Sequence, residues 1–411
     1  MKIPQFLNSL IPQFKRYMPH FSFFISHSKE PVTEASLIWQ APIPLRLDAL
    51  LKHDGESVSH AAYFQAAQSF LEANSFEIIV RAASRQLGRD VKAADIEEIH
   101  IYLEKHGEFY HPARIEAVVY QKQLCFVLNV AISETGKRFI EKEYHHLNRL
   151  NTELPFRYLP QVYGFGRIPA SDGSNFAMFL GQWFDGYHEF HLSMDPADKK
   201  PKLIVWDDSR GRFFLSAEQT KTLYARASKI LTCYYNLESF EQIFSWHHAA
   251  GDFVVATENG KLELRLVSVR QYGSIFGNQK DTQAVRSDPE LMLQALLVFF
   301  LSLSIHMRLD RLEGIGEMVW SDKAAVEATL TGFLETLSMK PDTPSLPDSP
   351  LACFVAYLAA CTDADLLDLS EAIVNRYNPK MPGLTVIKKN LSEHVETLYV
   401  AIQQLLSIST T

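Results

Sequence analysis

The chain has 411 residues, of which 47% are hydrophobic and 21% charged. That is the balance of a soluble globular protein, with enough chain to bury a core without disulfides or a metal. The formal net charge of -8 argues against nonspecific nucleic-acid binding, and no nucleic-acid partner is expected.

Four cysteines, Cys125, Cys233, Cys353 and Cys361, are widely spaced. They form no CxxC or His/Cys ligand pattern, which argues against a disulfide framework and a zinc site, and a reducing, cytoplasmic setting is expected. The most apolar run, Leu291 to Ile305, is interrupted by Gln294, Ser302 and Ser304 and is short for a bilayer, so no transmembrane segment is expected. Residues 1–26 mix Ile3, Phe6, Leu7, Leu10, Ile11 and Phe14 with Lys2, Lys15 and Arg16. Pro4, Pro12 and Pro19 break any long helix there, and no apolar core leads to a small-residue cleavage site, so a signal peptide is not expected. The segment reads as packing on the body of the protein or on a partner, or as a peripheral membrane contact.

In chain order, residues 27–60 are mixed and Pro-containing, and read as irregular. Phe64, Ala67, Phe70 and Leu71 recur at helical spacing; after a break at Asn74-Ser75, Ile78, Ile79, Ala82 and Leu87 continue the pattern in a second helix, which Gly88 stops. Residues 1–95 are therefore an extension and helical region. From Ile96 the texture changes to strands at 99–103, 115–120 and 124–132, a three-stranded meander. A helix over 137–150 follows, then strands at 161–168 and 176–184 joined by the turn at 171–175. Residues 185–210 mix acids and bases, and their Lys199, Lys200 and Lys202 read as a solvated loop. Ser216 caps a helix reaching Leu237.

Next comes a polar cluster, Ser245-Trp246-His247-His248, then Gly251-Asp252 and a strand from Phe253. A turn at Asn259-Gly260 leads to a returning strand, Leu262 to Val269, followed by Arg270-Gln271-Tyr272-Gly273. Pro289 starts a helix to Leu309 that is apolar nearly all round and reads as a buried central helix. Further helices are expected over 324–337, 351–361, 364–377 and 390–408, with a Pro-rich linker at 341–350.

Strand, strand, strand, helix, strand, strand, and then a polar loop before a hairpin, is an order that resembles the protein-kinase-like superfamily, in its aminoglycoside and choline phosphotransferase branch. The resemblance covers residues 96 to about 310. It implies an α+β, bilobal, protein-kinase-like fold: a small five-stranded lobe over 96–184, a mainly helical large lobe over 185–411, and the helical region in front. It also implies ATP with a divalent cation such as magnesium. In such proteins a turn between the first strands covers the phosphates; here it holds only Gly107. The strand position of the phosphate-pairing Lys falls on Asn129, while the helix keeps Glu143, the usual partner of that Lys. Lys122, Lys137 and Lys142 are the candidates to replace it. Gln182 and Trp183, in Gly181-Gln182-Trp183-Phe184-Asp185-Gly186, match the hinge that holds the adenine.

In the loop and hairpin, His247 falls on the catalytic Asp, Asp252 on the metal-binding Asn, and Gln271 on the second metal-binding Asp, with Arg270 beside it. Asp252 is the one position with chemistry suited to magnesium. Arg270 pointing inward would repel a metal and attract phosphate. Neighbours on a strand face opposite ways, so only one of Arg270 and Gln271 can line a site. Two functions follow. One is a degenerate, pseudokinase-type regulatory or scaffold protein with a protein partner, binding a nucleotide or other anion between its lobes. The other is an atypical phosphotransferase acting on a hydroxyl with His247, Asp252 and Arg270 or Gln271.

Overall fold

The computed structural model describes residues 18–26, 28–44, 58–107, 109–169, 175–207, 209–244, 246, 251–258, 260–274 and 288–409. The chain divides into two compact units, Met1–His145 with Gln161–Asp185, and His146–Pro160 with Gly186–Thr411.

The first unit is built on β1 (His20–Ile25), α1 (His60–Leu87), β2 (Ile96–Leu103), β3 (Ala113–Val119), β4 (Lys122–Ala131), the start of α2 (Glu134–Glu153), β5 (Val162–Pro169) and β6 (Asn175–Gln182). The strands form one six-stranded sheet in the order β1-β2-β3-β4-β6-β5. The meander is antiparallel, and Tyr120 and Gln121 (φ 52° and 61°) turn it with the two positive φ values that match the twist of paired strands. The β1 strand adds a sixth member, parallel to β2 from His20↔Glu98 to Ile25↔Leu103. The sequence reading placed five strands here. Its missing member is a short β-prone run, Phe21-Ser22-Phe23-Phe24-Ile25, whose partner lies some 80 residues away.

Alternation along the strands decides which face is dry. Phe126, Leu128 and Val130 of β4 are buried with Ile99, Ile101, Ile115, Met178 and Leu180 against Tyr63, Phe64, Phe70 and Ile79 of α1. Each such aromatic or aliphatic side chain contributes roughly 1.5–3 kcal/mol by leaving water. The Ser59 hydroxyl accepts from Ala62 N at 3.2 Å to start α1, and Gly88 at φ 65° ends it. Ala73 (ψ 138°) and then Asn74, Ser75 and Phe76 (φ 50°, 59° and 66°) interrupt the helix where Asn74-Ser75 marked a break. On the opposite face of the sheet Tyr144 of α2 packs on Phe165 and Phe179.

In the second unit β7 (Glu189–Met194), β8 (Pro201–Asp207) and β9 (Gly211–Phe214) make an antiparallel sheet. Of the Lys run read as a solvated loop, Lys199 and Lys200 lie between β7 and β8, whereas Lys202 is part of β8. Phe190, Leu192, Leu203, Ile204 and Val205 are buried, but the two runs are short and the charged stretch between them, Asp195 to Lys202, dominates the linear pattern. The rest of the unit is α3 (Ala217–Cys233), β10 (Glu241–Phe244), β11 (Phe253–Glu258), β12 (Lys261–Leu266), β13 (Gln271–Ser274), α4 (Pro289–Met307), β14 (Leu309–Arg311), β15 (Met318–Trp320), α5 (Ala324–Leu337), α6 (Pro350–Ala360), α7 (Asp363–Asn375) and α8 (Leu384–Ser409).

Helices α3 and α5 cross at Gly332, where a Cβ would overlap the Ala225 carbonyl; beside it the Ser228 hydroxyl donates to Thr329 O at 2.7 Å. The α4 helix is long and apolar enough to cross a membrane by length and composition, with a mean hydropathy of 1.7, yet 67% of that window is buried inside the protein. That burial marks a core helix. Together the described residues form a mixed α+β protein with a six-stranded sheet and eight α-helices.

Candidate functional site

The sequence-derived residues fall in both units. In the second, two antiparallel pairings frame them. β10 pairs with β13, setting Phe244 opposite Gln271, and β11 pairs with β12, setting Phe253 opposite Leu266. Gly251, at φ 84°, turns the chain into β11, a backbone conformation that favours glycine. Asp252 follows, and its carbonyl accepts from Val267 N at 2.7 Å. The loop residue is thereby clamped to the end of the returning strand.

The Asp252 side chain is 2% exposed and that of Arg270 is 26% exposed. Arg270 Nη2 donates to Oδ1 at 2.5 Å and Nη1 to Oδ2 at 3.1 Å. This is a two-pronged guanidinium–carboxylate pair, the geometry that gives such pairs strength and direction. Arg270 thus takes the inward position and Gln271 is exposed, resolving the choice that strand alternation left open. A divalent cation at Asp252 would have to displace the guanidinium from both carboxylate oxygens. His247 and His248 lie outside the described residues.

Trp246, just before that stretch, packs its ring 6.1 Å from His306 and 6.5 Å from Phe253. The His306 ring lies 5.3 Å from that of Tyr377, and His306 Nδ1 is 2.8 Å from Ser302 O. The sequence reading assigned no role to His306 or Tyr377, and no local pattern marks them; His306 of α4 meets Trp246 on one side and Tyr377, just past α7, on the other. On the other flank, Tyr272 OH donates to Tyr234 O at 3.1 Å, and burial raises the Tyr272 phenol. Arg149 donates to both oxygens of Glu241 at 2.8 and 2.9 Å, securing β10 to α2. Among the described residues no group of three or more His, Cys, Asp or Glu side chains has the geometry to hold a metal ion.

In the first unit, Asn129 lies on the half-buried face of β4 opposite Phe179, the face on which α2 packs. Glu143, on α2, is 2% exposed. Lys137 pairs with Glu134 in the same turn at 2.8 Å, while Lys122 and Lys142 are exposed. Gly107 N donates to Tyr110 O at 2.9 Å, so its amide closes the β2–β3 connection on itself. That connection is pinned from both sides: Tyr63 OH donates to His111 O at 2.7 Å, and His111 N to Val130 O at 2.8 Å. His106 and His111 bring their Nδ1 atoms to 3.1 Å; burial, then the neighbouring His106, lowers His111 to about 4. Gln182 exchanges bonds with Gln161, donating N to O at 2.8 Å and accepting at Oε1 from N at 3.3 Å. Trp183 follows the end of β6 and is half-buried.

No family model matches this chain, and no curated protein matches it. Among solved structures, one described as WaaP in complex with acyl carrier protein is similar at a TM-score of 0.31 and 7% identity, over 68% of this chain and 88% of that chain. At that level the similarity assigns neither a substrate nor a partner.

Proposed function

We propose that the chain is a degenerate, kinase-like protein of regulatory or scaffold type, whose partner is another protein and whose site has given up metal-dependent phosphoryl transfer. The observation that carries this reading is the Arg270–Asp252 pair. The residue that the family resemblance puts on a magnesium ligand has both carboxylate oxygens bonded to a guanidinium from the position next to the second ligand. A fixed cation from the chain itself stands beside the carboxylate. Three further features support the reading. Asn129 stands where the phosphate-pairing Lys belongs, the Gly107 amide is committed to Tyr110 O, and Gln271 points to solvent. The antiparallel meander, helix and strand pair, followed by the hairpin, keep the order that the resemblance requires.

The test is thermal unfolding with ATP, in excess magnesium or manganese and in EDTA, on the wild type and on Asp252→Asn. The expected result is no metal-dependent shift; a nucleotide bound at 100 times its dissociation constant would add about 2.7 kcal/mol of stability. A shift that requires the metal and disappears in Asp252→Asn overturns the reading in favour of an atypical phosphotransferase.

A further inference from the structure

The β2–β3 connection of the first unit holds two imidazoles that the proposed function does not use. His106 and His111 stand at either end of a turn closed by Gly107 N, which donates to Tyr110 O at 2.9 Å. Their Nδ1 atoms lie 3.1 Å apart, with ring centroids at 5.3 Å and ring planes at 61°. Two ring nitrogens at that distance need a positive centre between them. It is either a proton, donated by one ring to the other, or a cation that takes a lone pair from each.

The connection is braced on several sides. Glu104 N donates to Pro112 O at 3.1 Å. The His111 backbone is bonded at both polar atoms, its N to Val130 O and its O to Tyr63 OH. Phe109, between the two histidines, packs its ring 4.8 Å from that of Phe139 on α2. His111 is 5% exposed and His106 is half-buried. The two nitrogens are thus brought together before any ion arrives, and an ion that binds them has little ordering left to impose. Burial also disfavours the charged ring at both residues, and a neutral imidazole is the form that ligates a metal.

Zinc–imidazole bonds are about 2.0–2.1 Å long, so nitrogens 3.1 Å apart subtend an angle of roughly 100° at a shared ion, close to tetrahedral. Neutral nitrogen donors suit zinc and its first-row neighbours, whereas magnesium and calcium take oxygen. His60 is a third imidazole of the same neighbourhood, but its Nδ1 lies 2.8 Å from Ala41 O. Among the described residues no group of three His, Cys, Asp or Glu has ligand geometry. Those residues therefore supply two ligands and leave the other positions to water or to an incoming anion.

We infer that the Nδ1 atoms of His106 and His111 form an open site for a divalent transition-metal ion of the zinc type. The site needs neither nucleotide nor magnesium and is independent of the chemistry at Asp252.

Calorimetric titration of the EDTA-treated, dialysed full chain with zinc tests it. The wild type is expected to bind one equivalent, without competition from magnesium. His106→Gln and His111→Gln should each weaken binding at least about tenfold, the loss that even an outer partner of a ligand brings. Zinc should raise the Tm of the wild type above its value in EDTA and leave that of either variant unchanged; each protein is compared with itself, so a general loss of stability cancels. His145→Gln, at an exposed histidine of α2, is the control and should bind as the wild type does. X-ray absorption at the zinc edge reads the ligands without any substitution, and two imidazoles are expected. A wild type that takes up no zinc, or a spectrum without imidazole, overturns the inference and leaves a shared proton between the rings. So does an equivalent of zinc that survives both substitutions and disappears instead when His247 and His248 are replaced with Gln.

Discussion

Two carboxylates of the second unit are buried almost alike, Asp207 at 3% exposure and Asp252 at 1%, and are held in opposite ways. Asp207 ends β8 and takes most of its donors from the next three residues. Its Oδ1 accepts from Ser209 N, Ser209 Oγ and Arg210 N at 2.8, 2.6 and 2.9 Å, and its Oδ2 from Arg210 Nε at 2.6 Å. Asp252 takes two from Arg270, 18 positions on and past a whole hairpin. The first carboxylate closes its own turn. The second ties a loop to the residue just before β13, which reaches it only once β11 and β12 have paired. A turn carboxylate needs little beyond its neighbours, whereas Asp252 and Arg270 each depend on the other staying in place.

The largest effect expected from this contrast is at Asp252. Asp252→Ala leaves Arg270 without its carboxylate in a mostly dry setting and should lose about 3 kcal/mol in chemical denaturation. Adding Arg270→Met to it should recover at least half of that loss, since no guanidinium then faces the position the carboxylate has left. A double variant no more stable than the single one would show that the pair is not coupled, and the contrast with Asp207 would fall.

Asp207→Asn should cost less, about 1–2 kcal/mol, because the amide keeps an acceptor for the Ser209 and Arg210 amides while losing the charge. A loss equal to that of Asp252→Ala would break the distinction between local and distant anchoring.

The smallest effect is the pH dependence of that loss. The Ser209 hydroxyl and the Arg210 amide and guanidinium hold the Asp207 carboxyl well below the usual carboxylate range, against the opposing effect of burial. A carboxyl depressed in the folded state contributes stability above its unfolded pKa, about 3.9, and loses it as pH falls through the folded value. The stability difference between wild type and Asp207→Asn should accordingly be full at pH 7 and shrink below about pH 4. Urea titrations at pH 7, 4 and 2.5 read it directly; a constant difference would show that Asp207 carries no such shift.

Much of the secondary structure was legible because it is local. The periodicity of Phe64, Phe70 and Ile79, the break at Asn74-Ser75 and the Gly88 stop all match α1. Ala324 to Leu337 has the expected bounds, and Ser216 caps α3 as expected, accepting from Gln219 N at 3.2 Å. The misses share a cause. The β1 strand and the β7–β9 sheet depend on partners or on burial that charged neighbours disguise in the linear pattern. At the candidate site, sequence reasoning could name Asp252, Arg270 and Gln271, and could say that only one of the last two faces inward. It could not say which, nor that His306 would meet both Trp246 and Tyr377.

The sequence by itself determined the α+β class and much of the element order, the β1 strand and the β7–β9 sheet apart. Those properties follow from side-chain periodicity, turn chemistry and spacing within about 20 residues, all of which are local. Only the tertiary structure decided that Arg270 closes on Asp252 and that the Gly107 amide is already bonded. It also decided that His106 and His111 face each other across their turn. Hydrogen-bond partners and solvent exposure are set by which segments meet in space, and no local pattern carries that information.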